Sequence, residues 1–264
     1  MKIAVISLSR EGARLAIRLA AGWPECDVFV HESVTDVPGG DQTIAGRRFD
    51  RLVALSGELF PAYRGLVYIA PVGAVVRAVA PWLRHKTVDP GVVVLDVGGR
   101  WAVSLVGGHE GGANQLALAV ANILGAEPVI STTTEAVKDL IVGVGCRRGA
   151  EASAIVAAVE EALPLAGCRV EQVRLLASAD IKADEPGLAE AARQLGLPLR
   201  LIAAEEIRHT IRAFEHSAFV EEKVDLPAVA EPAALLAGRR TRLVLPRQIL
   251  HGVTVAIARE FAKR

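Results

Sequence analysis

Short apolar runs alternate with longer stretches of helical period along the whole chain, and this alternation restricts the fold to α/β layers with mostly parallel sheets. Lys2–Leu8 is a compact buried-strand candidate, and Glu11–Ala21 follows with Ala13, Ile17 and Ala20 on one helical face. Cys26–His31, Arg51–Leu55 and Leu66–Ile69 read as further strands, whereas Pro71–Pro81 places Val72, Val75, Val76 and Val79 at helical intervals. Gly91–Asp96 and Trp101–Val106 are β-rich and flank Gly98-Gly99, a hairpin turn. Asn114–Leu124 is helical and closes at Gly125, and Pro128–Ser131 starts another strand.

The pattern then breaks at Thr132–Lys138 and starts afresh with Leu140–Gly145. Helices are expected at Glu151–Leu163 and Gly187–Leu195, and strands at Val173–Ala177, Leu199–Ala203, Thr241–Leu245 and Gly252–Arg259. The expected architecture is two α/β domains with mostly parallel sheets flanked by helices, residues 1–136 and 137–264. With 264 residues, 52% of them apolar, the chain has ample material for two cores.

Acidic and basic residues balance at 30 each, which gives no electrostatic footprint for nucleic acid. Cys26, Cys146 and Cys168 lie far apart, and the histidines show no HxH or HxxxH spacing, so neither a disulfide framework nor a protein-bound metal is expected. Gly65–Leu83 is the most membrane-like stretch, but Pro71, Arg77 and Pro81 interrupt it. A cytoplasmic protein without a membrane segment is the expectation.

The densest chemical signal is Ser104–Asn114, where a strand ends and a helix begins. Gly107, Gly108, Gly111 and Gly112 allow close backbone approach, the helix start offers amide donors, and His109 can exchange protons near neutrality. Such a loop can hold a carboxylate or receive the oxyanion formed when water attacks an ester. A tight turn whose histidine merely caps the helix is the alternative, and a GxGxxG dinucleotide fingerprint is absent. Asp96 ends a strand, where open α/β sheets gather ligands. Lys86 and Asp89 precede that strand and reach a site there only by a loop fold-back; a surface ion pair is their simpler reading. In the second half, Cys146-Arg147-Arg148-Gly149 forms another strand-to-helix turn, with Lys182, Asp184 and Glu185 in a later one. Cys146 fits a small buried thiol better than a nucleophile, and Ser217 and Glu231 alone count as background.

Together these segments resemble the CbiG family. The resemblance runs through Ile69–Arg77, Lys86–Pro90, Gly108–Asn114 and Pro128–Thr133. It continues through Gly143–Gly149, Lys182–Leu188, Val229–Ala234 and Thr254–Ala258. Longer members carry a middle region where Thr134–Leu140 here joins the halves directly, and Asp225 stands where a glycine is usual. The resemblance implies a hydrolase of anaerobic cobalamin biosynthesis that opens the ring A δ-lactone of cobalt-precorrin-5A with loss of acetaldehyde, giving cobalt-precorrin-5B. No cofactor is implied, because the substrate carries its own cobalt. On this reading His109, Glu110 and Asn114 form the catalytic set, with His109 as general base and amides of Gly111, Gly112 and Ala113 receiving the oxyanion. Arg77, Arg147 and Arg148 grip peripheral carboxylates; Lys86, Asp96 and Gly108 complete the binding set, and Lys182 and Glu185 close the site from the second domain. Transient contact with precorrin methyltransferases and a homodimer are further expectations. The competing class is a non-catalytic carrier or chaperone of a corrinoid intermediate, because the second half also resembles a small stand-alone protein of the aerobic route.

Overall fold

The computed structural model describes residues 2–23, 25–35, 46–211, 226 and 228–261. Two compact units, Met1–Thr132 and Thr133–Arg264, divide the chain. The first unit holds a seven-stranded sheet of order β3-β2-β1-β4-β5-β6-β7. Its strands are β1 (Ile3–Ser7), β2 (Asp27–His31), β3 (Arg47–Phe49), β4 (Gly65–Ile69), β5 (Gly91–Leu95), β6 (Trp101–Val106) and β7 (Glu127–Val129). Strands β3 to β5 run parallel; β6 reverses against β5, and β7 runs parallel to β6.

Helices α1 (Arg10–Gly22), α2 (Leu52–Leu59), α3 (Val72–Val79) and α4 (Ala113–Leu124) cover the sheet. Because successive strand residues point to opposite faces, each central strand feeds two cores. Ile6, Tyr68 and Val94 pack with Leu55, Leu59, Val75 and Val79 of α2 and α3. Their neighbours Val5, Val67 and Val93 pack with Ala16 and Leu19 of α1 and Leu116 and Ala117 of α4. Each fully buried aliphatic side chain contributes about 1.5–3 kcal/mol by removal from water.

Three local expectations need correction. The buried stripe of α1 is Gly12, Ala13, Ala16 and Leu19, and Ile17 is 37% exposed; the small residues are what let the helix lie close to the sheet. Arg51–Leu55 is not a strand but the start of α2, because a short apolar run fits either state and burial of Leu55 and Leu59 at a spacing of four decides for helix. In α3, Val75 and Val79 are buried, but Val72 and Val76 are each 44% exposed.

The second unit holds a five-stranded sheet of order β10-β9-β8-β12-β11. It comprises β8 (Leu140–Gly145), β9 (Val173–Ala179), β10 (Leu199–Ile202), β11 (Thr241–Leu250) and β12 (Val253–Glu260). The first three are parallel, and the β11–β12 hairpin joins antiparallel to β8. Its helices are α5 (Thr133–Ala136), α6 (Ala152–Leu165), α7 (Pro186–Gln194), α8 (Ala204–His209) and α9 (Ala230–Leu236). Leu140, Val142 and Val144 face α6 and α7, while Ile141 faces α9. Both units are therefore α/β, with mixed, mostly parallel sheets flanked by helices. Ser217 and Asp225 lie outside the described residues.

Candidate functional site

The reversal of β6 decides where the glycine-rich loop emerges. Val106, at the end of β6, pairs with Val92 near the start of β5, and Ala102 pairs with Leu95 at its end. The loop bearing His109 therefore leaves the sheet beside the residues that precede β5. Lys86 meets it directly: its Nζ lies 2.8 Å from Glu110 Oε1. No fold-back to the other end of β5 is made, and Lys86 sits in an exposed ion pair, the simpler of its two readings, with Glu110 as partner. Asp89 is buried, and its two carboxylate oxygens accept the Arg84 N–H at 3.0 and 3.1 Å, fixing the 84–89 turn. Because β7 runs parallel to β6, Thr132 arrives at this same edge. Three segments distant in sequence thus converge at one end of the sheet.

Within the loop, most donors are spent on its own shape. Gly112 N–H donates to the His109 carbonyl at 3.3 Å, Ala113 N–H to Gly107 at 3.1 Å and Asn114 N–H to Gly108 at 2.9 Å. Gly112 takes a left-handed φ of 79° to enter α4, a conformation that glycine adopts without strain. The expected oxyanion donors are accordingly narrowed, since the amides of Gly112 and Ala113 are committed internally, while Gly111 N–H donates to no carbonyl among the described residues. Asn114 is 7% exposed and serves as a tie: Ser104 Oγ donates to its Oδ1 at 2.8 Å, and its Nδ2 donates to Thr132 Oγ1 at 2.9 Å. His109 and Glu110 face solvent. The Lys86 ammonium, followed by Glu110's own N–H, holds the Glu110 carboxyl below its usual range. Glu110 in turn pushes the Lys86 ammonium up.

Asp96 is not brought to this edge. Asp96 follows the far end of β5, a five-residue strand spanning roughly 13–17 Å. Its carboxylate accepts from Arg100 N–H at 2.8 Å, Trp101 N–H at 2.7 Å and Gly98 N–H at 3.1 Å, so it organises the β5–β6 hairpin turn. Partial burial pushes this carboxyl up, but the Trp101, Arg100 and Gly98 donors outweigh it, and the net direction is down. Beside it lies an apolar cleft of about 330 Å³, lined by Pro71, Val72, Val94, Trp101 and Val129 among others. Arg77 is exposed and donates to the Gly73 carbonyl of its own helix at 3.0 Å.

In the second unit, Arg147 and Arg148 are exposed at the end of β8. Glu185 turns inward at 6% exposure; its Oε2 accepts Gly149 N–H at 2.9 Å, and its Oε1 lies 3.7 Å from Lys182 Nζ. These residues join the loop after β8 to the first turn of α7. Glu185 is therefore a tie between two loops. Burial pushes the neighbouring Cys146 thiol up, which fits an unreactive side chain. Replacing Glu185 with alanine would leave the Lys182 side chain, 12% exposed, without its partner. The expected loss is about 3 kcal/mol, because an uncompensated charge stays half-buried. Urea denaturation checks it, and an unchanged midpoint contradicts the assignment.

Sequence reasoning gave no role to Ser104 and Thr132. The run of hydroxyl residues after β7 was the available signal, but only the reversed direction of β6 places it beside His109. Among the described residues no group of three His, Cys, Asp or Glu side chains could hold a metal ion, and no helix is long and apolar enough to cross a membrane.

Comparison with known proteins gives two family matches: Cobalamin synthesis G N-terminal over residues 54–135 and Cobalamin synthesis G C-terminus over residues 140–258. A cobalt-precorrin-5A hydrolase of Priestia megaterium is 24% identical, covering 97% of this chain and 94% of its own length. The cobalt-precorrin-5A hydrolase of Salmonella typhimurium is 38% identical over 50% of this chain and 36% of its own. Protein CobE of Sinorhizobium sp is 34% identical over 48% of this chain and 83% of its own.

Proposed function

The chain belongs to the CbiG family in both its N-terminal and its C-terminal parts, and from that premise we propose that it hydrolyses the ring A δ-lactone of cobalt-precorrin-5A, releasing acetaldehyde and giving cobalt-precorrin-5B. The observation that carries the reading is the meeting, at one sheet edge, of Lys86, the His109 loop and Thr132, three segments of one resemblance. It is supported by a relative that bears the hydrolase name and spans nearly the whole chain.

In this reading His109 takes a proton from the attacking water, a task general bases typically speed by about 10²–10⁴-fold. The Lys86–Glu110 ion pair holds the loop from outside, and Asn114 holds it from within. Gly111 N–H remains an oxyanion donor, with Gly108 bringing the backbone close. Arg147 and Arg148 present exposed guanidinium forks suited to the carboxylates around a macrocycle. The later carbon–carbon cleavage draws mainly on the electronics of the cobalt-bearing substrate, so the protein's part is to orient it.

The test is incubation of the pure protein with cobalt-precorrin-5A and an aldehyde trap. Acetaldehyde is expected to accumulate in step with substrate loss. Substrate that stays intact, with no aldehyde formed, would overturn the proposal.

A further inference from the structure

We propose that Thr132 is a catalytic hydrogen-bond donor, its hydroxyl pointing at the lactone carbonyl oxygen; this rests on the hydrolase reading above and supplies the donor that the committed amides of Gly112 and Ala113 do not. Three side chains form a short hydrogen-bonded chain, Ser104 to Asn114 to Thr132. Ser104 Oγ gives its hydrogen to Asn114 Oδ1 at 2.8 Å, so the face that Asn114 turns toward Thr132 is its NH₂ group. That group donates to Thr132 Oγ1 at 2.9 Å, and the threonine oxygen is thereby an acceptor toward Asn114. Its own hydrogen cannot point at that NH₂ group, and among the described residues no hydrogen bond runs from the Thr132 hydroxyl to an acceptor.

The position is as telling as the direction. A Cβ placed on Gly108 would lie 2.5 Å from Thr132 Cγ2 and 3.0 Å from Asn114 Oδ1. Only glycine lets the backbone immediately before His109 rest against the threonine. The hydroxyl is thus held beside the backbone that leads into His109, by its methyl group against Gly108 on one side and by the Asn114 amide on the other. Asn114, buried and engaged through both Oδ1 and Nδ2, acts through Thr132 and is a positioning residue. In the reaction, water adds to the lactone carbonyl carbon as His109 accepts its proton; the carbonyl π electrons move onto oxygen, which Thr132 stabilises. They return as the ring C–O bond breaks, and the leaving oxygen takes the proton from His109.

The experiment compares Thr132→Val, which keeps the shape and methyl contact, with Thr132→Ser, which keeps the hydroxyl. Thr132→Val is expected to lower kcat for acetaldehyde release by about 10²–10³-fold, the usual effect of losing one oxyanion donor, with a smaller rise in KM because the hydroxyl also meets the carbonyl of the bound lactone. Thr132→Ser should retain most of the activity. A valine variant that turns over like the unsubstituted protein overturns the assignment, and so does a serine variant as impaired as valine. If the unsubstituted protein itself releases no acetaldehyde, the hydrolase reading fails and the hydroxyl is judged by spectrophotometric titration with cobalt-precorrin-5A. Weaker binding by the valine variant alone then supports the contact, and equal binding by all three forms rejects it.

Discussion

Replacing His109 with alanine is expected to lower acetaldehyde release by about 10²–10⁴-fold, the range that a lost general base produces. Substrate binding should survive, because the side chain faces solvent and the loop is held by other groups. Lys86 grips Glu110 from outside, Asn114 ties Ser104 to Thr132 within, and the Gly107 and Gly108 carbonyls accept the first amides of α4. None of these contacts involves the imidazole, so a general loss of stability would not explain an inactive variant. The measurement is single-turnover aldehyde trapping alongside spectrophotometric titration of the bound cobalt-precorrin. A carrier would show binding and no aldehyde with either form. A variant that hydrolyses at the original rate would remove His109 from the mechanism and leave the loop a turn with a capping residue.

Much of this arrangement was legible in the sequence, and what was not has a common cause. Periodicity located the strands around Ile3–Ser7, Gly65–Ile69 and Gly91–Leu95, because strands buried on both faces read as continuous apolar runs. The Gly98-Gly99 turn announced the β5–β6 hairpin. Its consequence was harder to draw: an antiparallel β6 sends its carboxyl end to the opposite edge from β1, β4 and β5. The rule that ligands gather at carboxyl ends therefore names two edges in this sheet, and Asp96 belongs to one while His109 belongs to the other. Local pattern does not report strand direction, so Lys86 and Thr132 could not be joined to His109 before the pairing was known. Charge in a turn is ambiguous in a second way. Glu185 resembles a ligand-binding group by residue type, yet it closes a loop with Gly149 and Lys182, and only burial distinguishes the two tasks.

A substitution at Gly143 tests the same point from the packing side, and it should be among the most damaging in the second unit. Gly143 lies in the middle of β8, paired with Ala177 on β9 and Ala256 on β12, so the strand has no freedom to withdraw. A Cβ at this position would sit 1.9 Å from the Ala230 carbonyl oxygen, 2.8 Å from its carbon and 2.9 Å from Ala234 Cβ. The obstacle is the backbone at the start of α9, not the tip of a side chain that could rotate aside. That helix is anchored too, since Glu231 is buried and accepts the Arg247 N–H from β11 at 2.9 Å. Gly143→Ala must therefore lift α9 off the sheet and open the core that Ile141 shares with Ala233 and Ala234. Overpacking typically costs about 1–3 kcal/mol, and a backbone obstacle places this case at or above the upper end. The matching drop in melting temperature is roughly 10 °C or more for a unit of this size, read by circular dichroism. Gly149→Ala is the control: its φ of 71° carries backbone strain, but nothing lies within 4 Å of the added methyl. That strain is worth about 1–2 kcal/mol, so the Gly143 variant must lose more. Equal melting of the two variants would mean that α9 does not press on β8 as closely as these distances require.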